Sequence, residues 1–169
     1  MPAITTAVAA VAAATKEVWY IMAVELTAPA VQTVQYGGNV LFTDAPVRCN
    51  RGYVVHRDGA GIITLRGVNC QCRARYKVTF GANIAIAAGG TVAAISVAIA
   101  IDGEPLPSTT MIVTPAAVGD FFNVSRTVFI DVPCGCCVTI AVENTSTTAA
   151  GVAIPIDVAN ANIVVERVA

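Results

Sequence analysis

Residues 70–80, CQCRARYKVTF, alternate without a fault. Cys70, Cys72, Ala74, Tyr76, Val78 and Phe80 share one side; Gln71, Arg73, Arg75, Lys77 and Thr79 share the other. A period of two belongs to a β-strand, whose successive side chains leave opposite faces. The chain then runs from Val78 to Ile101 without a charge. About 20 uncharged apolar residues can cross a bilayer as a helix. This run, however, holds Gly81, Asn83, Gly89, Gly90, Thr91 and Ser96. Its second half, AISVAIAIDG, alternates again, with Ile95, Val97, Ile99 and Ile101 against Ser96, Ala98 and Ala100. Asp102-Gly103 closes it with a turn signal. The run reads as strand, and no membrane partner is expected.

The same punctuation recurs from residue 31 onward. VQTVQYGGNVLFTDAPV gives two short strands around Gly37-Gly38, ended by Asp44 and Pro46, and YVVHRDGAGIITLRG gives a strand, a turn at Asp58-Gly59 and a strand. TTMIVTPAAVGDFFNVSRTVFIDVP reads as strand, loop, strand; CGCCVTIAVENTS and VAIPIDVANANIVVERVA finish the chain. Eight or more short strands with turns between them and no strand–helix rhythm mean an all-β antiparallel sandwich or barrel. Ahead of it, residues 1–31 read as an arm. Ile4, Val8, Val11 and Val18 fall at helix-compatible spacings, so the arm is partly helical or extended. VWYIMAVEL begins a strand or an anchor, and TAPA breaks it. No basic region precedes the Ala/Val stretch, so it is not read as a secretory signal. The division expected is an arm at 1–31 and a β domain at 32–169.

Charged residues are 12% of the 169 and hydrophobic ones 56%, against about 25% charged in ordinary soluble domains. Such a chain is expected to hide surface against other subunits. A net charge of −1 gives no pull toward nucleic acid. Aromatic side chains are not interleaved with the basic ones as in single-strand binders.

Signs of catalysis are sparse. The single histidine, His56, sits beside the Asp58-Gly59 turn. A triad with Asp58 can be drawn, but no G-x-S-x-G elbow accompanies it, and a surface or interface histidine is the simpler reading. Neither phosphate-binding glycine motif occurs, and no cofactor or enzymatic role is expected. Arg73, Arg75 and Lys77 line one strand face, as a solvated surface or a polar seam between subunits. Phe121-Phe122 and Tyr53 are the aromatic residues available to an exposed loop that binds glycan.

The cysteines form a separate problem. C-x-C at 70–72 and C-x-C-C at 134–137 lack zinc-ribbon spacing. If strand alternation extends through both, Cys70 and Cys72 point inward with Tyr76, and Cys134 and Cys136 inward with Val138, Ile140 and Val142. With strands alternating in direction, both pairs start at one end of the sandwich. Three outcomes stay open: buried free thiols packing as small hydrophobes, cross-sheet disulfides, or a metal cluster of Cys70, Cys72, Cys134 and Cys136.

The segments ITLRGVNCQCRARYKVTFGANI, ISVAIAIDGEPL and ANANIVVERVA resemble the central strand, the following strand with its polar turn, and the closing strand of the tumour-necrosis-factor/C1q-like jelly roll. The resemblance covers about residues 32–169 and implies a jelly-roll sandwich assembled as a homotrimer. VTPAAVGDFFNV, VPCGCC and the NANIVVERVA ending resemble short jelly-roll proteins of phage and prophage of gut Firmicutes. That implies a structural virion-surface protein, a capsid decoration or head fibre, assembled in the host cytoplasm. It would be anchored to the major capsid or another virion protein through residues 1–31. Alternatives are a jelly-roll module binding glycan on a host surface, and a spore or cell-surface layer protein. The chain has no Gly-X-Y tract of the kind carried by filament-capping relatives.

Overall fold

The computed structural model describes residues 22–48, 52–67 and 73–168. Two antiparallel sheets face each other. The first runs β10 (Phe122–Pro133), β6 (Arg73–Ile86), β12 (Ile156–Arg167), β1 (Met22–Ala28), β3 (Asp44–Val47), and β2 (Gln32–Val34) also pairs with β12. The second runs β4 (Val54–His56), β5 (Ile63–Arg66), β11 (Cys137–Asn144), β7 (Ile95–Ile101), β8 (Glu104–Pro105), with β9 (Met111–Val113) also on β7. From β5 onward the chain crosses repeatedly from one sheet to the other, as a double-sheet jelly roll requires.

Alternation drives this arrangement. On β6, Ala74, Tyr76, Val78, Phe80, Ala82 and Ile84 are buried, and Arg73, Arg75, Lys77 and Thr79 lie on the opposite face. Ile63 and Leu65 of β5, Ile95, Val97 and Ile99 of β7 and Ile140 and Val142 of β11 close the core from the second sheet. Each such side chain contributes about 1.5–3 kcal/mol by leaving water. β12 switches parity midway. Val158 is buried, and then Ala161, Ile163 and Val165, because the register with β6 shifts between Ala159 and Asn162. Asn160 takes up the extra residue at φ 51°, a left-handed conformation that asparagine tolerates better than most residues.

The charge-free run becomes the end of β6, a turn and β7. Among the described residues no helix is long and apolar enough to cross a membrane. Two boundaries differ from the sequence reading. Residues 22–28, counted there with the arm, form β1 and pair along their whole length with β12, from Met22 opposite Arg167 to Ala28 opposite Ala161. Asp44 and Pro46, read as strand terminators, lie within β3. That strand closes the edge of its sheet, where a proline's missing N–H removes no ladder bond. The helical spacing at 4–18 falls outside the described residues.

Register also gives the sandwich two distinct ends. One carries Met22, Arg167, Gly67 and the turn from β10 to β11. The other carries the connections at 35–38, 87–94, 114–121 and 145–155.

Candidate interaction surfaces

The cysteine-rich stretch forms a turn and not two aligned strand positions. Cys136 N–H donates to Pro133 O at 3.2 Å, and Gly135 holds φ 71° between them. Strand alternation therefore stops at Pro133 and restarts at Cys137. Cys134, Cys136 and Cys137 are all exposed, so the expectation that Cys134 and Cys136 are core thiols pointing inward is corrected. Val138, Ile140 and Val142 do point inward. The turn is clamped by Gly67, whose N–H donates to Cys136 O at 2.9 Å and whose carbonyl accepts from Gly135 N–H at 3.1 Å. A Cβ at position 67 would sit 2.1 Å from Pro133 O, so only glycine fits there. Cys70 and Cys72 lie outside the described residues, but their flanks, Gly67 and Arg73, both pair with this hairpin. Among the described residues no three His, Cys, Asp or Glu side chains gather to hold a metal.

His56 is half-buried rather than a surface group. Its ring stands edge-on to Phe42 at 6.3 Å, and its Nε2 lies 3.0 Å from Ala60 O. A carbonyl only accepts, so Nε2 carries the proton. Nδ1 is buried without a partner. Asp58, the other half of the paper triad, instead receives both bonds of Arg48 Nη2, at 2.7 and 2.9 Å. Val24, Leu26, Ala45 and Val54 line a cavity of about 170 Å³ beside His56.

The outer face of the first sheet is richer. Arg75 grips Asp131 through Nε at 2.7 Å and Nη2 at 2.9 Å, and Arg73 reaches the same carboxylate at 3.2 Å. The hydrogen bond from Arg75 is the main reason that Asp131 titrates well below a normal carboxyl, at about 2. Lys77 Nζ donates to Glu166 at 3.1 Å, Asn162 Nδ2 to Glu25 at 2.6 Å, and Thr79 bonds Thr127 at 3.0 Å. Phe129 stands among them, opposite Lys77, and is 61% exposed. Arg73, Arg75 and Lys77 were legible as one face. Their partners were not, because Asp131 and Glu166 lie 56 and 89 residues away from Arg75 and Lys77. Of the aromatic residues read as loop platforms, Phe121 and Phe122 are exposed, but Tyr53 is buried, with Arg167 stacked 4.6 Å from its ring centroid.

No family model matches this sequence and no curated protein does. Solved structures do match. The globular domain of zebrafish complement 1qA protein is 12% identical at a TM-score of 0.53, covering 88% of this chain and 98% of that one. PRD1 vertex protein P5 aligns at 11% identity and a TM-score of 0.42, covering 88% and 99%. The sugar-binding EclA C-terminal domain aligns at 17% and 0.38, covering 80% and 79%. Strand order, antiparallel pairing and the first of these alignments together identify the fold: the chain is an antiparallel jelly roll of the C1q type.

Proposed function

We propose that the protein is a structural subunit of a phage virion surface, a capsid decoration or head-fibre-like homotrimer with no catalytic role. Its trimer contact is the outer face of the first sheet. One observation carries the assembly reading: on that face Lys77, Arg73 and Arg75 have their counter-charges on neighbouring strands of the same sheet. Covering it with another copy desolvates mainly ion-paired groups, a smaller penalty than burying lone charges, with Glu25 on the same face held by the Asn162 amide. Phe129 supplies the apolar contact, and burying an exposed phenylalanine is worth about 1.5–3 kcal/mol per copy. The low charge content of the chain supports the same reading. The virion assignment rests on the resemblance of VTPAAVGDFFNV, VPCGCC and NANIVVERVA. β1 is fixed in the sheet through all seven residues, so the segment left to dock on a shell is residues 1–21.

Sedimentation of the full chain tests the assembly. A trimer of the 17.3 kDa chain sediments as about 52 kDa, three times 17.3, and Phe129→Asp returns it to monomer. A wild-type monomer at micromolar concentration rejects the interface. Mass spectrometry of purified virions and of spore coats tests the location; a chain found only in spores rejects the virion assignment.

A further inference from the structure

The end of the sandwich opposite Met22 has an unusual composition. Its four connections, 35–38, 87–94, 114–121 and 145–155, contain one ionisable carboxylate, Asp120, and no lysine or arginine. Their other polar side chains are hydroxyls and the amide of Gln35. At this end Tyr36, Val92, Val118, Phe121, Phe122 and Val152 are all at least 40% exposed. By contrast Arg66, Arg73, Arg75, Lys77 and Arg167 lie toward the other end.

The connections are fixed to one another. Gly119 N–H donates to Ile86 O at 3.1 Å, and Ala87 N–H to Pro155 O at 3.1 Å. Gly37 N–H donates to Asn144 O at 2.9 Å. Asn144 Nδ2 then reaches Val34 O and Ile154 O, each at 2.9 Å. The apolar side chains are thus displayed on a braced surface and not on loose loops, which limits the ordering penalty of binding.

We infer that this end is a docking surface for neutral carbohydrate. A pyranose ring offers an apolar C–H face bordered by uncharged hydroxyls. Its C–H face suits the negative face of an aromatic ring such as Phe121 or Phe122. Its hydroxyls suit the threonines and Gln35, and Asp120 accepts from hydroxyl donors more strongly than a neutral group would. The lack of any cation leaves nothing to pair with a phosphate, a sulfate or an acidic sugar, so nucleic acid, anionic lipid and sialylated glycans do not fit. The surface lies at the end of the sandwich opposite Met22, where β1 begins.

The test uses the full chain on an array carrying neutral hexose and N-acetylhexosamine glycans beside sialylated and sulfated ones, followed by titration of the best neutral oligosaccharide. Binding is expected on neutral glycans, within about twofold from 50 to 500 mM salt, and at least tenfold weaker in F121A/F122A. Both rings are exposed, and near-UV circular dichroism checks that the variant keeps its fold. A second variant, Val152→Asp, is expected to weaken binding without touching the aromatic pair. A blank array at 100 µM overturns the proposal. So does binding confined to acidic glycans, or binding that F121A/F122A leaves intact. Self-association that F121A/F122A abolishes also overturns it and assigns the surface to a second copy of the chain. Sedimentation of the same samples keeps the readings apart: a trimer with a blank array refutes only the carbohydrate site, and a glycan-binding monomer refutes only the trimer.

Discussion

Replacing Asn144 should loosen the loop-bearing end of the sandwich more than any surface change. Asn144 is fully buried at the end of β11. Its Nδ2 donates to Val34 O of β2 and to Ile154 O just before β12, both at 2.9 Å, and its Oδ1 accepts from Ser146 N–H at 2.9 Å. One amide therefore ties the second sheet to the first. Truncation to alanine strands two carbonyls and one N–H, each worth about 1–3 kcal/mol when buried and unpaired. Water entering the space recovers part of this, so the expected loss is about 3–5 kcal/mol, or a fall in Tm of roughly 6–20 °C. Asn144→Asp separates the contributions. It keeps the acceptor for Ser146 but turns a carboxylate toward two carbonyls, so at pH 7 it should be less stable than Asn144→Ala. Protonation restores a donor, and the folded state should hold that proton more tightly than the unfolded chain. The variant should therefore regain stability relative to wild type as pH falls from its raised folded-state pKa toward the unfolded value of about 3.9, with no further gain below that. The assay is urea unfolding at one fixed protein concentration, since assembly contributes to apparent stability. A loss under 1 kcal/mol for Asn144→Ala, or an aspartate variant no worse than the alanine one, would refute the bracing argument.

Gly67→Ala drives a Cβ to within 2.1 Å of Pro133 O, and should cost about 2 kcal/mol or more because the neighbour is backbone and cannot rotate away; a variant with unchanged urea midpoint would show that the cysteine turn is not clamped there. Asp131, held at about 2 against an ordinary 3.8 by Arg75, contributes stability that is present above pH 4 and is lost as pH falls from about 4 to 2. Asp131→Asn should flatten that acid limb, measured as unfolding free energy against pH; an unaltered limb contradicts the assignment. Glu143 titrates above its ordinary 4.5, through burial first and repulsion from Glu104 second, so its ionisation erodes stability as pH rises from 4.5. Glu104→Gln should lower the Glu143 pKa without restoring the ordinary value, read from carboxyl chemical shifts; no movement would mean that burial alone sets it.

Sequence and structure agree where period is the signal. The alternation at 73–80 fixed both the strand type and the buried face; that at 95–101 fixed the strand type, but Ala98 and Ala100 opposite the Ile95, Val97 and Ile99 face are buried as well. The β12 parity switch was present as ANAN but carried no marker of which residue would bulge. The cysteines show where period reasoning fails. Strand alternation does not extend through CGCC, because Pro-Cys-Gly-Cys turns with Gly135 at positive φ. VWYIMAVEL reads as the start of a strand or an anchor and TAPA as a break; only the pairing with β12 places residues 22–28 in the sheet.

Alone, the sequence determined that the chain is all-β, which faces of its strands are apolar, and that it carries too little charge to cover itself ordinarily. Those properties are local or compositional. Tertiary structure decided the rest: that Arg75 and Lys77 meet Asp131 and Glu166, that three cysteines stand on a clamped turn, and that four charge-poor connections share one end. Each depends on strand order between residues far apart in the chain, and a repeating pattern of side chains specifies a strand's faces without specifying its neighbours.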